Sequence, residues 1–491
     1  MRINNFGDIK TFFGSNKTAK QTIFKNTFWL ALSSGISKLL SFFLFIYVAR
    51  ILGPTQYGEL TFALAFILLF GIFSNLGLSR ITVRELSRED AEKEYPALLS
   101  LKIVLLLGTL ILVFFGAFYI TSDPVVRKAI WILAFYVCIG NFAQIIYEFL
   151  EARQKMEYES GAKILEAILH AAFGFFIIFN FPSVVNLSYG FLASIIVFLT
   201  IFLIFFHFKI YNLRFHWNVS IWNKYLKMSW PLAFTGFFAT IYTYIDSVMM
   251  GRWGMITETG WYNAAYRIVT ATIIPGSIIA TSFFPALSKA YKENKEKFQK
   301  IWNRQIEIML SLAVPITVGG IILAPKIIDY IFGPTFSPSV LALQILILMT
   351  GIIYLYTIFY WILIVANRQK LTFWVGLTGA AVNIVLNLIL IPKYSLYGAA
   401  AATIMAYFLM FFLFFAFTSK FTDVKTLNPD FFRNSLGIIL CGAIMYFVIS
   451  FPSVYSLPII YSIPFGAAVF SACLYVYKKI MIKLILRKET L

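Results

Sequence analysis

The sequence predicts an all-α integral membrane protein of about fourteen transmembrane helices, and three observations predict it. Apolar stretches of roughly 18 to 25 residues recur from Phe28 to Tyr477, the length a helix needs to cross about 30 Å of hydrocarbon. Hydrophobic residues fill 60% of the 491 positions and charged residues only 13%, with a mean hydropathy of +0.80. Lys and Arg gather on alternate loops, following the positive-inside bias of membrane proteins. Because lipid offers no partner to a backbone N–H or C=O, each apolar segment must satisfy its own hydrogen bonds as a helix. The net charge of +19 is therefore assigned to cytoplasmic loops, and nucleic acid is not expected as a partner.

The expected spans are 28–49, 60–79, 97–119, 129–150, 161–181, 187–208, 229–250, 262–284, 308–331, 339–366, 371–391, 397–417, 433–451 and 457–477. An even number puts both termini on one side. The basic stretches there, among them Lys10 to Lys25, Arg80 to Arg88 and Lys478 to Lys488, make that side cytoplasmic. Residues 1–27 are basic and polar, and the first apolar run is too long for a signal-peptide core, so it is expected to stay as a helix.

In span one, Ser34, Lys38 and Ser41 share one helix face. A central Lys costs about 3 kcal/mol on insertion scales, which leaves three readings: binding an anionic headgroup, pairing with a carboxylate, or snorkelling. Arg50 and Arg84 stand near span ends, at the external and cytoplasmic mouths, where they either contact phosphate or reach lipid headgroups. In span five Glu166 and His170 follow Lys163 and form a polar stripe that binds cargo or meets the interface. Asp246 is the sole acid in the middle of span seven, an ion-coupling carboxylate or a partner of a buried cation. Asn263, Tyr266 and Arg267 form a polar stripe in span eight, read as cavity lining. Pro275 and Pro315 interrupt spans eight and nine as candidate pivots, and Asn383 and Asn387 read as helix glue. Cys138, Cys441 and Cys473 stand alone in spans and read as packing residues. The sequence carries no metal-ligand spacing and no P-loop, so no metal, cofactor or ATP site is expected.

An internal repeat organises these spans. Thr55-Gln-Tyr-Gly58 opens span two as Thr257-Glu-Thr-Gly260 opens span eight. Arg153-Gln-Lys155 precedes span five as Arg368-Gln-Lys370 precedes span eleven, and Leu187-Ser-Tyr-Gly190 mirrors Ser395-Leu-Tyr-Gly398. The expected organisation is a basic segment 1–27, an N-terminal six-helix lobe 28–208, a C-terminal six-helix lobe 209–417 in parallel repeat, a further helix pair with its preceding loop 418–477, and a basic tail 478–491. Two such lobes suit alternating access about a midplane site.

Several of these segments also carry a family resemblance. Lys25-Asn-Thr-Phe-Trp29, Ala49-Arg-Ile-Leu-Gly-Pro54, Asn75-Leu-Gly-Leu78 with Val83-Arg-Glu-Leu86, Tyr244-Ile-Asp-Ser-Val-Met249 and Gly260-Trp-Tyr-Asn-Ala-Ala-Tyr-Arg267 resemble polysaccharide-biosynthesis flippases. These are the Wzx-type lipid-linked oligosaccharide flippases of the multidrug/oligosaccharidyl-lipid/polysaccharide exporter superfamily. The resemblance implies outward translocation of a polyprenyl-pyrophosphate-linked glycan, with undecaprenyl as carrier, in the cytoplasmic membrane. It implies partners among membrane lipids, glycan polymerases and glycosyltransferases, and a monomeric transport unit.

The mechanism expected for such cargo pairs headgroup phosphate with Lys38 and Arg267, helped by Arg50, Arg84, Ser34, Ser41, Asn263 and Tyr266. Asp246 or Glu166 then serves as ion-coupling or charge-pair carboxylate. The alternatives are an ion-coupled drug or metabolite antiporter of the multidrug exporter branch and a peptidoglycan lipid-precursor flippase. An enzyme is not expected, since outer loops are short and no paired outer carboxylates or nucleophile elbow appears. The helix pair at spans 13 and 14, rich in Phe447, Phe451 and Tyr461, resembles the pair that shapes a lipid-tail groove in some relatives.

Overall fold

The computed structural model describes residues 19–88, 91–422 and 429–489. Among the described residues the ordered elements are all helical, and eleven stretches are long and apolar enough to cross a membrane. Two of these hold two expected spans each. Helix α1 (Ala19–Phe70) runs 52 residues and α11 (Gln369–Phe421) runs 53, more than twice the roughly 20 residues that one crossing needs. Each therefore turns back within a continuous helical run. The turn falls at Gly53 (φ 73°), just before Pro54, in α1, and at Ser395 (φ 52°), three residues after Pro392, in α11. With α7 (Val219–Arg252) as span seven, all fourteen expected spans are helical.

The chain divides into two compact units, Met1–Thr257 and Glu258–Leu491. In the first, α1 is followed by a 3-10 turn (Gly71–Ser74), α2 (Leu78–Leu86), α3 (Tyr95–Ile120), α4 (Pro124–Ala152), α5 (Met156–Asn180), α6 (Val184–Lys209) and α7. Its core gathers Leu86, Leu99, Ile146, Phe198 and Phe206. The leading end of α7 is held by a second short 3-10 turn, Ala91–Glu94, and the start of α3. Lys224 Nζ and the Tyr225 hydroxyl both donate to the Glu94 carboxylate at 2.8 Å, and Trp222 Nε1 donates to the Ala97 carbonyl at 2.8 Å.

The second expected span does not run unbroken to residue 79. It stops at Phe70, tightens into the 3-10 turn, and passes through Leu76 (φ 46°) and Gly77 (φ 74°) before α2 resumes. Gly77 is needed there twice over. Its φ is left-handed, and a Cβ would stand 2.6 Å from the Ser229 carbonyl oxygen and the Ala233 amide nitrogen of α7.

The second unit comprises α8 (Ile256–Glu293), α9 (Lys295–Phe332), α10 (Ser339–Val365), α11, α12 (Pro429–Ser450), the short α13 (Pro452–Tyr455) and α14 (Ile459–Glu489). Trp302, Met309, Tyr354, Ile362 and Val375 sit in its core. The helix pair α12/α14 is fastened to α9 at both ends. Lys326 Nζ donates to the carbonyls of Tyr455 and, at 2.7 Å, Leu457, capping the end of α13. Lys478 of α14 pairs with Glu307 of α9 at 2.5 Å.

Two turns that the sequence repeat pairs are built alike. Gln154 (φ 56°) follows α4 and Asn367 (φ 58°) follows α10. After each, the next N–H returns to the carbonyl five residues back, Lys155 to Leu150 at 2.9 Å and Arg368 to Leu363 at 2.7 Å. Both are Schellman ends with a non-glycine residue in the left-handed position.

Candidate functional site

On α1, Ser33 and Ser37 face α5, where the Ser33 hydroxyl lies 3.3 Å from that of Ser160 and Ser37 donates to the Lys163 carbonyl at 3.4 Å. This seating turns the other stripe outward. Ser34 and Lys38 are exposed, and Ser41 is half-buried. Lys38 makes no ion pair with any described residue. Arg50 is exposed close to the α1 turn. Arg84 is exposed on α2, and its guanidinium holds Glu85 at 2.9 Å, a carboxylate that also takes Arg88 at 2.7 Å.

Asp246 on α7 is 1% exposed. In the second unit, Asn263, Tyr266 and Arg267 are half-buried on α8, and Tyr266 stacks on Tyr262 with ring centroids 5.8 Å apart.

The polar stripe of α5 is joined to α4. Glu159 pairs with Lys163 at 2.5 Å, Glu166 accepts from the Tyr147 hydroxyl at 2.8 Å, and His170 Nδ1 lies 3.3 Å from the Tyr136 hydroxyl. Glu166 is thus a held carboxylate between helices. Asn387 donates to Asn383 at 3.2 Å within α11, both side chains buried.

Sequence reasoning missed a second polar cluster, built around the helix break. Glu148 (2% exposed) on α4 accepts from Ser79 of α2 and has Thr82 of the same helix near it. Ser79 in turn accepts from Asn75 Nδ2 at 2.9 Å, and Ser74 accepts from Asn141 Nδ2 at 2.9 Å. Lys102 on α3 is 3% exposed and lies within electrostatic reach of Glu148 without closing to an ion pair. Both charges sit near the ends of their spans, where sequence alone reads them as interfacial. The available signal was Asn75-Leu-Gly77, a turn-forming triplet inside an expected span.

The second unit opens an apolar groove of about 980 Å³ between α9, α10, α11 and α12, lined by residues such as Val314, Ile352, Phe408, Ile439 and Tyr446. No charged side chain lines it. Of the C-terminal pair only α12 contributes to its lining. Among the described residues no group of three His, Cys, Asp or Glu side chains is placed to hold a metal.

Fold and composition together define an all-helical, multi-pass membrane protein. The same architecture occurs in the lipid II flippase MurJ in its inward-closed conformation, which superposes with a TM-score of 0.74 at 17% identity, over 93% of this chain and 99% of that one. The sequence profile of the family described as polysaccharide biosynthesis protein matches residues 23–291, and the chain belongs to that family. A second profile, MatE, matches residues 231–389. The chain is similar to the capsular polysaccharide biosynthesis protein CapF of Staphylococcus aureus, 24% identical over 81% of this chain and 99% of that protein. It is also similar to a probable low-salt glycan biosynthesis flippase of Haloferax volcanii, 23% identical over 77% of this chain and 80% of the relative.

Proposed function

We propose that the protein is a flippase carrying a polyprenyl-pyrophosphate-linked oligosaccharide, with undecaprenyl as the carrier, from the cytoplasmic to the outer leaflet of the cytoplasmic membrane for cell-surface polysaccharide assembly. The observation that carries this reading is the correspondence with CapF and with the Haloferax glycan flippase over 81% and 77% of this chain. The physical demands of such cargo agree with it. A polyprenyl tail needs a charge-free, laterally open surface, and the groove of the second unit offers one. A pyrophosphate needs cations within the span, where they are expensive to place, and Lys38 and Arg267 are such cations. Each is proposed to contact the headgroup during the cycle, with Ser34, Ser41, Asn263 and Tyr266 beside them and Arg50 and Arg84 nearer the mouths. Asp246 and Glu166 are the proposed competing carboxylates. The chain performs transport and no bond chemistry; glycosyltransferases and a polymerase would act before and after it.

Purified protein in proteoliposomes should move a labelled polyprenyl-pyrophosphate oligosaccharide between leaflets. Lys38→Gln combined with Arg267→Gln, inserted at native levels, should lower the rate at least tenfold. Full flipping by that variant would remove the two cations from the site, and absence of flipping with every glycan lipid tried would sink the flippase reading.

A further inference from the structure

The cluster at the break between α1 and α2 shares α2 with Arg84 but includes none of the residues proposed to meet cargo, and its hydrogen bonds have a direction. Asn75 donates to Ser79, and Ser79 donates to Glu148. Every donor points toward a carboxylate that only accepts when ionised. One acceptor in the cluster is unused: Asn75 Oδ1 is buried with no partner, an arrangement that costs about 1–3 kcal/mol while it lasts.

We infer that Glu148 is a proton-binding site, and that filling it reverses this hydrogen-bond chain and re-sets the helix break at residues 71–77. On protonation the carboxylate takes one proton from solvent, forming a new O–H bond as the donor's O–H bond breaks, and the net charge of the cluster rises by one. Glu148 then has a hydrogen to give, and Ser79 Oγ is the atom already in contact to receive it. Ser79 is left with its own hydrogen free, and Asn75 Oδ1 becomes the acceptor once the amide rotates about χ2.

Asn75 sits at φ −127°, ψ −35° directly between the 3-10 turn and the left-handed Leu76 and Gly77. Turning its amide therefore acts on the least regular backbone of the unit. That backbone bears on α7, where Gly77 abuts Ser229 and Ala233 on either side of Pro231 and Ile72 meets Gly236.

A proton differs from a metal cation in what it leaves behind: the protonated carboxyl has a hydrogen to donate to Ser79, whereas a sodium ion would occupy the carboxylate oxygens and give the chain no new donor. The titratable groups facing Glu148 are Lys102 and Tyr95 from α3 and Glu151 on its own helix, with Cys138 closer to Lys102; α2 presents the hydroxyls of Ser79 and Thr82.

The test is amide hydrogen–deuterium exchange of residues 71–86 in the full-length detergent-solubilised protein, at pH 5.5 and pH 8, after correction for intrinsic exchange. Wild type should change its protection severalfold between the two conditions. Glu148→Gln should hold one value at both, Glu148→Asp should restore the dependence, and Asn75→Leu should abolish it with the carboxylate intact. Protection in wild type that does not vary with pH overturns the inference even if the variants fail to fold, and so does an unchanged pH dependence in Glu148→Gln. The readout needs no cargo, so its failure leaves the flippase reading standing, and the converse.

Discussion

Lys25 shows what a single charge does in this molecule. It sits in the basic leading stretch that sequence assigns to topology, yet α1 already extends back to Ala19, and Lys25 is 0% exposed with its ammonium 2.9 Å from Glu157 of α5. Removing one partner of a buried pair strands the other, at a cost of about 3 kcal/mol for a pair whose acid keeps some solvent access. Lys25→Met should therefore lower stability by about that amount in a chemical-denaturation series followed by helical signal. Lys25→Met with Glu157→Leu should recover most of it, because two apolar groups of similar volume leave nothing unpaired. If the double variant is no better than the single, the ammonium itself matters to packing. Lys38 was legible in the sequence because charge in the middle of an apolar run stands out, and Arg267 and Asp246 because they continue polar helix stripes. Lys25, Lys102 and Glu148 were not, since charges near span ends are common and their partners lie far along the chain: Lys25 and Glu157 belong to different helices.

Elements were legible where apolar length alone decides them, and all fourteen spans formed. The break in span two was hidden because Gly71-Ile-Phe-Ser74 is still apolar, so hydropathy runs on where the helix does not. What forces the break into view is the close approach of α7, and two glycines separate that packing from backbone strain. Gly254 (φ 78°) has nothing within 4 Å of a would-be Cβ, whereas Gly77 (φ 74°) has the α7 backbone at 2.6 Å. Gly254→Ala should cost only the left-handed penalty, about 1–2 kcal/mol. Gly77→Ala should cost that plus overpacking of about 1–3 kcal/mol, and should displace α7 at Ser229. Comparing the two denaturation midpoints checks this; equal losses would mean that α7 yields freely at Pro231.

At the scale of the whole molecule, the charge distribution sets what drives transport. The chain carries 41 Lys and Arg against 22 Asp and Glu, with the excess proposed to lie on cytoplasmic loops. An anionic headgroup is therefore drawn to the inner face before it is moved. Outward passage of each net negative charge down an inside-negative potential of 100 mV releases about 2.3 kcal/mol, a factor of about 50 in the leaflet ratio by the standard conversion. A pyrophosphate-linked cargo moved without compensating charge should thus flip faster when the vesicle lumen, standing for the cytoplasm, is held negative, and slower when the sign is reversed. Potentials set by potassium gradients with an ionophore, at fixed pH, give the comparison directly. A protein that carries protons inward in exchange for the headgroup moves more charge per cycle, so its voltage dependence should be steeper and should become shallower when Glu148 is neutralised by Glu148→Gln. Identical rates at both polarities would instead require full electrical compensation within each cycle, and would put the driving force in a pH or ion gradient alone.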